Sequence, residues 1–567
     1  MKRLLLLMLA GSLALATINP RAQSRDKFAP RLIGFDVVEA TIYDMQSAMQ
    51  RGRVTSKELV LQSFARIAFY RNTVNPVISL YQGAIAEAEQ RDLERARGLV
   101  RGPLHGIPIA VKDNINTTFM PTTGGALAFA GYTPPYDAPL VVNLRNAGAV
   151  IIAKTVLTEL ANWVTNGMPG NYSAVGGFGM NPYDPRRDPR AGNDDGRPAM
   201  GVGGSSSGIG TAASLWLGNV GTETSGSILS PANANMLVGI KPTVGRISRY
   251  GIIPITADQD TAGPITRTVA DAAIMLGAME GVDPNDAATT KCTPPPGRDY
   301  QQFLRLTGLR GKRIGIPRAF YYDVFTLPGN TNPSGGLNAA QAAMMTEVIG
   351  VLKREGAVVV DPADIPSVVD RARDNNNAIQ GTCTNVKALD VDCSTVFKYG
   401  FKRDFAAYIA SLGATAPVAS LTALRQFNTA NAANNSIKYG QILLDNSDEM
   451  NLTTDLARYQ RDRAKDIHLA DAHGLREAIT ANNLDALLFP GASAAAIGAR
   501  AGFPTIGVPY GFIPNAPNPP FPAGFNAKDQ PYGVGFTGLD CSEPTLIEIA
   551  FAFEQATKKR VPPFSTP

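Results

Sequence analysis

Residues 201–210 read "GVGGSSSGIG", three serines set among five glycines. With so little side-chain bulk the segment favours bends and turns over long regular elements, so its serines are candidates for chemistry. Gly204-Ser205-Ser206-Ser207-Gly208 fits the pattern G-x-S-x-G. That pattern makes Ser206 a nucleophile on a strand–turn–helix elbow, with an acid and a histidine following in the chain. The preceding "AGNDDGRPAMGVG" is loop by composition and supplies no strand. The chain holds three histidines, so His468 and His473 are the available downstream partners. The elbow reading is therefore set aside.

A second serine cluster follows in "GTETSGSILSPA", residues 221–232. Successive backbone N–H groups in a small-residue turn can converge on one point, as an oxyanion hole requires. Without histidine the base must be another group, and lysine serves where burial holds it neutral near pH 7. Lys112 closes the apolar run "IPIAVKDN" (107–114), where a charge needs partners or must be shed.

Around these segments helices and apolar runs alternate. "TSKELVLQSFARIAFYR" opens with Thr55 and Glu58 at capping-box spacing and keeps apolar residues at helical intervals. "PLVVNLRNAG" followed by "AVIIAKT" is a helix-to-strand step ending on a second lysine, Lys154. Strand-like runs recur in "GKRIGIPRAF", "LDALLFPG" and "FPTIGVPYGF", and "EPTLIEIAFAFEQATKKR" closes the chain as a helix. The alternation predicts a layered α/β fold. Two tracts stand apart: a Gly/Pro/Asp-rich excursion at 181–204, and a mainly helical, polar region at 365–480. Placed beside the site, the excursion is expected to cap the pocket.

Bulk properties bound the function. The 567 residues are 44% hydrophobic and 18% charged, with a formal net charge of +5, an ordinary globular balance. "PRRDPR" interleaves its arginines with acids and proline, so no basic stripe for nucleic acid is expected. "MKRLLLLMLAGSLALA" has basic residues, a short apolar run and then small residues, the pattern of a secretory leader over residues 1–22 and too short to span a bilayer. No other membrane segment is expected. The mature protein is accordingly expected to be secreted or periplasmic. In that setting Cys383 and Cys393 are candidates to close a short disulfide loop, while Cys292 and Cys541 are open to either state.

At this point a family is visible. "GPLHGIPIAVKDNINT", "GGSSSG", "GTETSGSILSPA", "GIKPTVGRISRYGIIPITADQDTAGPITRTVADAA" and "SEPTLIEIAFAFEQATKKRVPP" together resemble the amidase signature family. They occur in order from about residue 40 to 563, nearly the whole mature chain. The middle segment is most similar to the peptide-amidase and bacterial or fungal amidase branch. The resemblance implies a three-layer α/β/α fold, a large mixed β-sheet covered by helices on both faces, as one domain over 38–563. It implies a Ser-cisSer-Lys triad. No cofactor is expected, and no metal, since the chain has no C-x-x-C and His468 and His473 lack the i, i+4 spacing of a helical pair. Lys112 matches the general base, Ser205 the relay serine preceded by a cis peptide bond, and Ser227 the nucleophile. The backbone around Thr224, Ser225, Gly226 and Ser227 matches the oxyanion hole.

A cis bond before a non-proline residue costs about 3–4 kcal/mol and needs its surroundings to enforce it. The spacing from Ser205 to Ser227 is shorter than the family's, which leaves Ser206 as the alternative relay. The function implied is exported amide hydrolysis through an acyl-Ser227 intermediate on a small-molecule amide, by a monomer or homodimer. An esterase or carbamate hydrolase using the same site is the alternative, followed by a non-catalytic binding protein on the same scaffold. The tRNA-charging amidotransferase subunit shares these motifs, but its cytosolic work does not suit a leader. His105, Glu159, Asp271, Ser230, Trp163 and Trp216 are assigned structural roles.

Overall fold

The structure is a computed structural model and describes residues 34–567. The proposed leader lies outside the described residues. Eleven strands form one sheet: β1 (Val77–Leu80), β2 (Pro108–Lys112), β3 (Val150–Thr155), β4 (Gly218–Glu223), β5 (Val238–Lys241), β6 (Thr261–Thr266), β7 (Arg313–Gly315), β8 (Val358–Val360), β9 (Ala486–Pro490), β10 (Thr505–Ile513) and β11 (Gln530–Thr537). Their order is β1-β3-β2-β4-β6-β5-β10-β11-β9-β7-β8. The sheet is mixed. β2 runs parallel to both β3 and β4, β4 and β6 are antiparallel, and β7 pairs in parallel with β8 and β9.

Side-chain alternation along the buried strands separates the two faces. Ile109 and Val111 of β2 join a core with Ile42 and Met45 from helix Ile42–Gln50, Met275 from Val269–Met279 and Phe553 from Glu543–Thr557. Ala110 of β2 and Ile152 of β3 join a different core with Val60 and Ile67 of helix Ser56–Val74 and Ala84 and Ala88 of Ala84–Ala96. Helices thus cover both faces, the α/β arrangement that the sequence and the resemblance imply.

The local signals behave as their chemistry requires. Thr55 and Glu58 form a reciprocal capping box at the start of Ser56–Val74. The region 365–480 is largely helical, with the longest element at Val396–Ser411. Among the described residues no helix is long and apolar enough to cross a membrane.

Both cysteine pairs are disulfide-bonded. Cys383–Cys393 closes a short loop, and Cys292–Cys541 joins residues 249 apart, with Cα atoms 5.1 and 5.4 Å apart respectively.

The excursion at 181–204 reaches the Ser227 turn only with its last glycines, Gly203 and Gly204, and its arginine-bearing part lies away from the expected place. None of its residues lines the cavity bordered by Thr222, Thr224 and Tyr408. Its interleaved charges pair two residues apart: Asp184 with Arg186, Asp188 with Arg190, and Asp195 with Arg197, each at 2.6 Å. Arg186 and Arg190 then reach across to the carbonyls of Phe525 and Pro519 in the β10–β11 connection. Their guanidinium groups also sit over the rings of Phe525 and Phe521. The tract that reads as a pocket cap is clasped to that connection instead, because its arginines find backbone acceptors there.

Candidate active site

β2 and β4 are parallel neighbours, so their carboxyl ends emerge together at one edge of the sheet, where open α/β sheets place their sites. β2 ends on Lys112, which is fully buried. Its Nζ donates to Ser205 Oγ at 2.8 Å and to Thr222 Oγ1 at 2.8 Å, and it approaches the Thr222 carbonyl at 3.3 Å. Burial brings the pKa of Lys112 down to about 7, against the opposing pull of the Asp260 and Glu223 carboxylates.

The residue after the strand keeps this lysine in place. Asp113 accepts from the Thr123 amide and hydroxyl. Lys154, from the neighbouring β3, lies 3.8 Å from Asp113 and donates to the Ile115 carbonyl at 2.6 Å and Thr122 Oγ1 at 2.7 Å. The second lysine therefore braces the turn that follows Lys112. Burial raises the Asp113 pKa and lowers that of Lys154.

Of the three serines at 205–207, Ser205 contacts Lys112. Ser206 Oγ instead donates to the Thr222 carbonyl at 3.0 Å and accepts the Thr222 amide at 3.1 Å. Its hydroxyl is consumed by the end of β4, and the shortened spacing to Ser227 does not move it into the place beside Lys112. The expected cis bond is absent. Among the described residues the cis bonds are Asp361–Pro362 and Asn518–Pro519, and the bond entering Ser205 is trans. Gly203, at φ 89°, supplies a sharp bend just before Ser205. The Lys112–Ser205 hydrogen bond thus forms without the distortion that the resemblance implies.

Ser227 lies against this loop through backbone. The Ser206 amide donates to the Ser227 carbonyl at 3.1 Å, and a Cβ on Gly204 would stand 2.9 Å from Ser227 Cα. Ser205 is thus flanked on both sides by residues touching Ser227. No hydrogen bond joins Ser205 Oγ to Ser227 Oγ among the described residues. Ser227 is half-buried and Ser225 exposed, so the turn is open to solvent.

Glu223 shapes that turn. Its Oε2 accepts the amides of Ile228 at 2.7 Å and Leu229 at 2.9 Å, and the Gly226 amide faces the same carboxylate. The amides of Ser225 and Ser227 have no acceptor among the described residues. Antiparallel pairing places Glu223 opposite Thr261, so the next residues outward, Thr224 and Asp260, meet. The Thr224 hydroxyl donates to Asp260, and Gln259 Nε2 donates to the Thr224 carbonyl at 3.1 Å. Burial pushes the Asp260 pKa up to about 7.

Thr222 and Thr224 also border a cavity of about 330 Å³. Its walls are largely apolar, with Ala161, Ile252, Ile253, Ile255 and Tyr408 among the lining residues. Asp404, Ala407, Tyr408 and Ser411 come from Val396–Ser411, so the helical region helps to shape it. Of the acidic and basic residues that line it, Arg249 pairs with Asp286 and Asp404 with Arg403, while Asp260 accepts from the Thr224 hydroxyl and the Ile255 amide.

The residues assigned structural roles have such partners. His105 is buried against the Arg91 carbonyl at 2.9 Å. Asp271 accepts the Ile42 amide, Trp163 donates to Ser447, and Trp216 donates to Thr211. His473 bonds Glu477 and Asp370, and no histidine contacts Ser206. Thr222, Glu223 and Asp260 are the site-building residues that sequence reasoning missed. They lie within the motifs quoted for the family, but nothing in their spacing marks them as partners of Lys112 or Ser227.

Known proteins agree with this architecture. The family model described as Amidase matches residues 58–547. A probable amidase of Arabidopsis thaliana is 34% identical over 536 residues, covering 93% of this chain and 92% of the relative. A putative amidase of Arthroderma benhamiae is 31% identical, covering 93% and 83%. The native peptide amidase of Stenotrophomonas maltophilia superposes with a TM-score of 0.77 at 36% identity, covering 93% of this chain and 99% of that one. This chain belongs to the amidase signature family and is an amide-hydrolysing enzyme.

Proposed function

We propose that the protein is an exported serine amidohydrolase that cleaves carboxamides through an acyl-Ser227 intermediate. The observation that carries this reading is the buried Lys112 amine, 2.8 Å from Ser205 Oγ, in a loop packed on the Ser227 turn. A lysine with a pKa near 7 is substantially neutral at neutral pH and acts as a base. In the proposed cycle Lys112 takes a proton from Ser205, Ser205 takes one from Ser227, and Ser227 Oγ attacks the amide carbonyl. Hydrogen bonds between a nucleophile and its base often tighten only with substrate in place, which fits the unbonded Ser227 hydroxyl. The oxyanion would rest on the backbone from Thr224 to Ser227, where the Ser225 and Ser227 amides lack acceptors. The relay runs backward to protonate the leaving nitrogen, and water then hydrolyses the ester by the same path.

The cavity beside Thr222 and Thr224 suits an uncharged, mainly apolar portion of the substrate, since its walls are largely apolar and its Arg249, Asp286, Asp404 and Asp260 side chains have partners within the protein. The likeness to a peptide amidase makes C-terminal peptide amides a first substrate class to assay. Two disulfides and the leader-like first residues support an oxidising, extracytoplasmic location.

The test is ammonia or amine release from a panel of small amides, anilides and peptide amides, with labelling by a fluorophosphonate probe. Activity and a label on Ser227, both lost in Ser227→Ala, are expected. Turnover surviving in Ser227→Ala, or a label on Ser206, overturns the assignment.

A further inference from the structure

We infer that Thr158 and Asn171, which follow β3 in the chain, are positioning residues that hold Ser205 in register with Lys112. The inference rests on the proposed relay role of Ser205. Three consecutive carbonyls of the serine loop turn toward these two residues. Asn171 Nδ2 donates to the Gly204 carbonyl at 2.8 Å and approaches that of Ser206 at 3.4 Å. The Thr158 amide donates to the Ser205 carbonyl at 3.1 Å. The clamp is internally braced, because Thr158 Oγ1 accepts the Asn171 amide at 2.8 Å.

Both residues are buried, so water does not substitute for a lost donor. Asn171 sits at φ 58°, a left-handed conformation that asparagine tolerates better than most residues. Its carbonyl accepts the Gly179 amide at 2.9 Å, which fixes the peptide from the other side. With the carbonyls of 204–206 drawn to one side, the backbone at Ser205 has little freedom to swing. The Oγ–Nζ hydrogen bond is then set by backbone geometry more than by a serine rotamer free to wander. The other hydrogen bonds of Ser205 and Ser206 run from Lys112 to Ser205 Oγ, from the Ser206 amide to the Ser227 carbonyl and between Ser206 Oγ and the Thr222 backbone, so the clamp holds the carbonyls that these leave free.

The experiment compares Asn171→Ala, Thr158→Val and Thr158→Ser with wild type and Ser205→Ala on one amide substrate. Asn171→Ala removes the donor to the Gly204 and Ser206 carbonyls, and Thr158→Val removes the brace on the Asn171 amide while the Thr158 backbone donor stays. Each is expected to lower kcat about 10- to 100-fold with KM little changed, the size usual for a misplaced catalytic group. Looser contact should let water reach Lys112, moving the acid limb of the pH profile to higher pH. Thr158→Ser keeps the hydroxyl and should restore both kcat and the profile. Normal kcat in Asn171→Ala and Thr158→Val, beside an inactive Ser205→Ala, overturns the clamp while leaving the relay standing. Lower activity with an unmoved pH profile also overturns it, since a general loss of structure gives that result. An active Ser205→Ala overturns the relay and the clamp with it. Should Asn171→Ala fail to fold, the Thr158→Val and Thr158→Ser pair decides.

Discussion

Lys112 Nζ and Ser205 Oγ, 93 residues apart in sequence, meet at 2.8 Å inside the protein. Among the described residues no carboxylate lies within bonding distance of the amine, and Thr222 supplies its remaining acceptors. Burial away from water disfavours the ammonium despite these acceptors and brings the pKa to about 7, so the neutral amine is well populated at neutral pH.

The pH dependence follows in sign. The base must be deprotonated, so kcat/KM should rise through about pH 7 and be lost below it. Lys112→Ala should lower kcat by about 10²- to 10⁴-fold, the usual contribution of a positioned base. Because folding depresses this pKa, the unfolded chain binds the extra proton from about pH 7 up to the ordinary lysine range. Stability therefore gains with pH across that window. Thermal melts of Lys112→Met should show a shallower rise over the same range.

Gly203→Ala should abolish activity or soluble expression. A Cβ there would meet the Pro231 nitrogen and Cα and the Ser230 carbonyl carbon at 2.5 Å, all of them backbone atoms that cannot move aside cheaply. The φ of 89° is also unfavourable for alanine. Activity in the soluble fraction of this variant checks the expectation, and a fully active protein would contradict it.

Glu223→Ala should separate turn geometry from substrate binding. It strips the amides of Ile228 and Leu229 of their acceptor, at about 1–3 kcal/mol for each buried group. With the Ser227 turn loosened, kcat should fall more than KM rises. Glu223→Gln retains a carbonyl oxygen to accept both amides and should recover much of the rate in steady-state assays.

Reduction should destabilise the protein, and mainly through Cys292–Cys541. That bond closes a loop of 249 residues, against 10 for Cys383–Cys393. Loss of a native disulfide typically costs about 2–5 kcal/mol, and the chain-entropy model assigns more to the longer loop. Melting of Cys292→Ser/Cys541→Ser should fall further than that of Cys383→Ser/Cys393→Ser.

Much of this was legible along the chain. The apolar run ending in Lys112, the capping box at Thr55 and Glu58, and the small-residue turn around Ser227 are local patterns set by neighbouring residues. Local patterns specify elements because burial and backbone geometry act over a few residues. The ordered motifs also carried the family, and with it the mixed sheet between layers of helices.

The composition of "GVGGSSSGIG" offered three serines, and only the pairing of β2 with β4 brought one of them, Ser205, against the lysine. The trans bond, the clasp of residues 181–204 on the β10–β11 connection and the partner of Cys292 were likewise settled in three dimensions. Each depends on strand order and on residues far apart in sequence. No local periodicity encodes such contacts, since they form only when the whole sheet closes in one register.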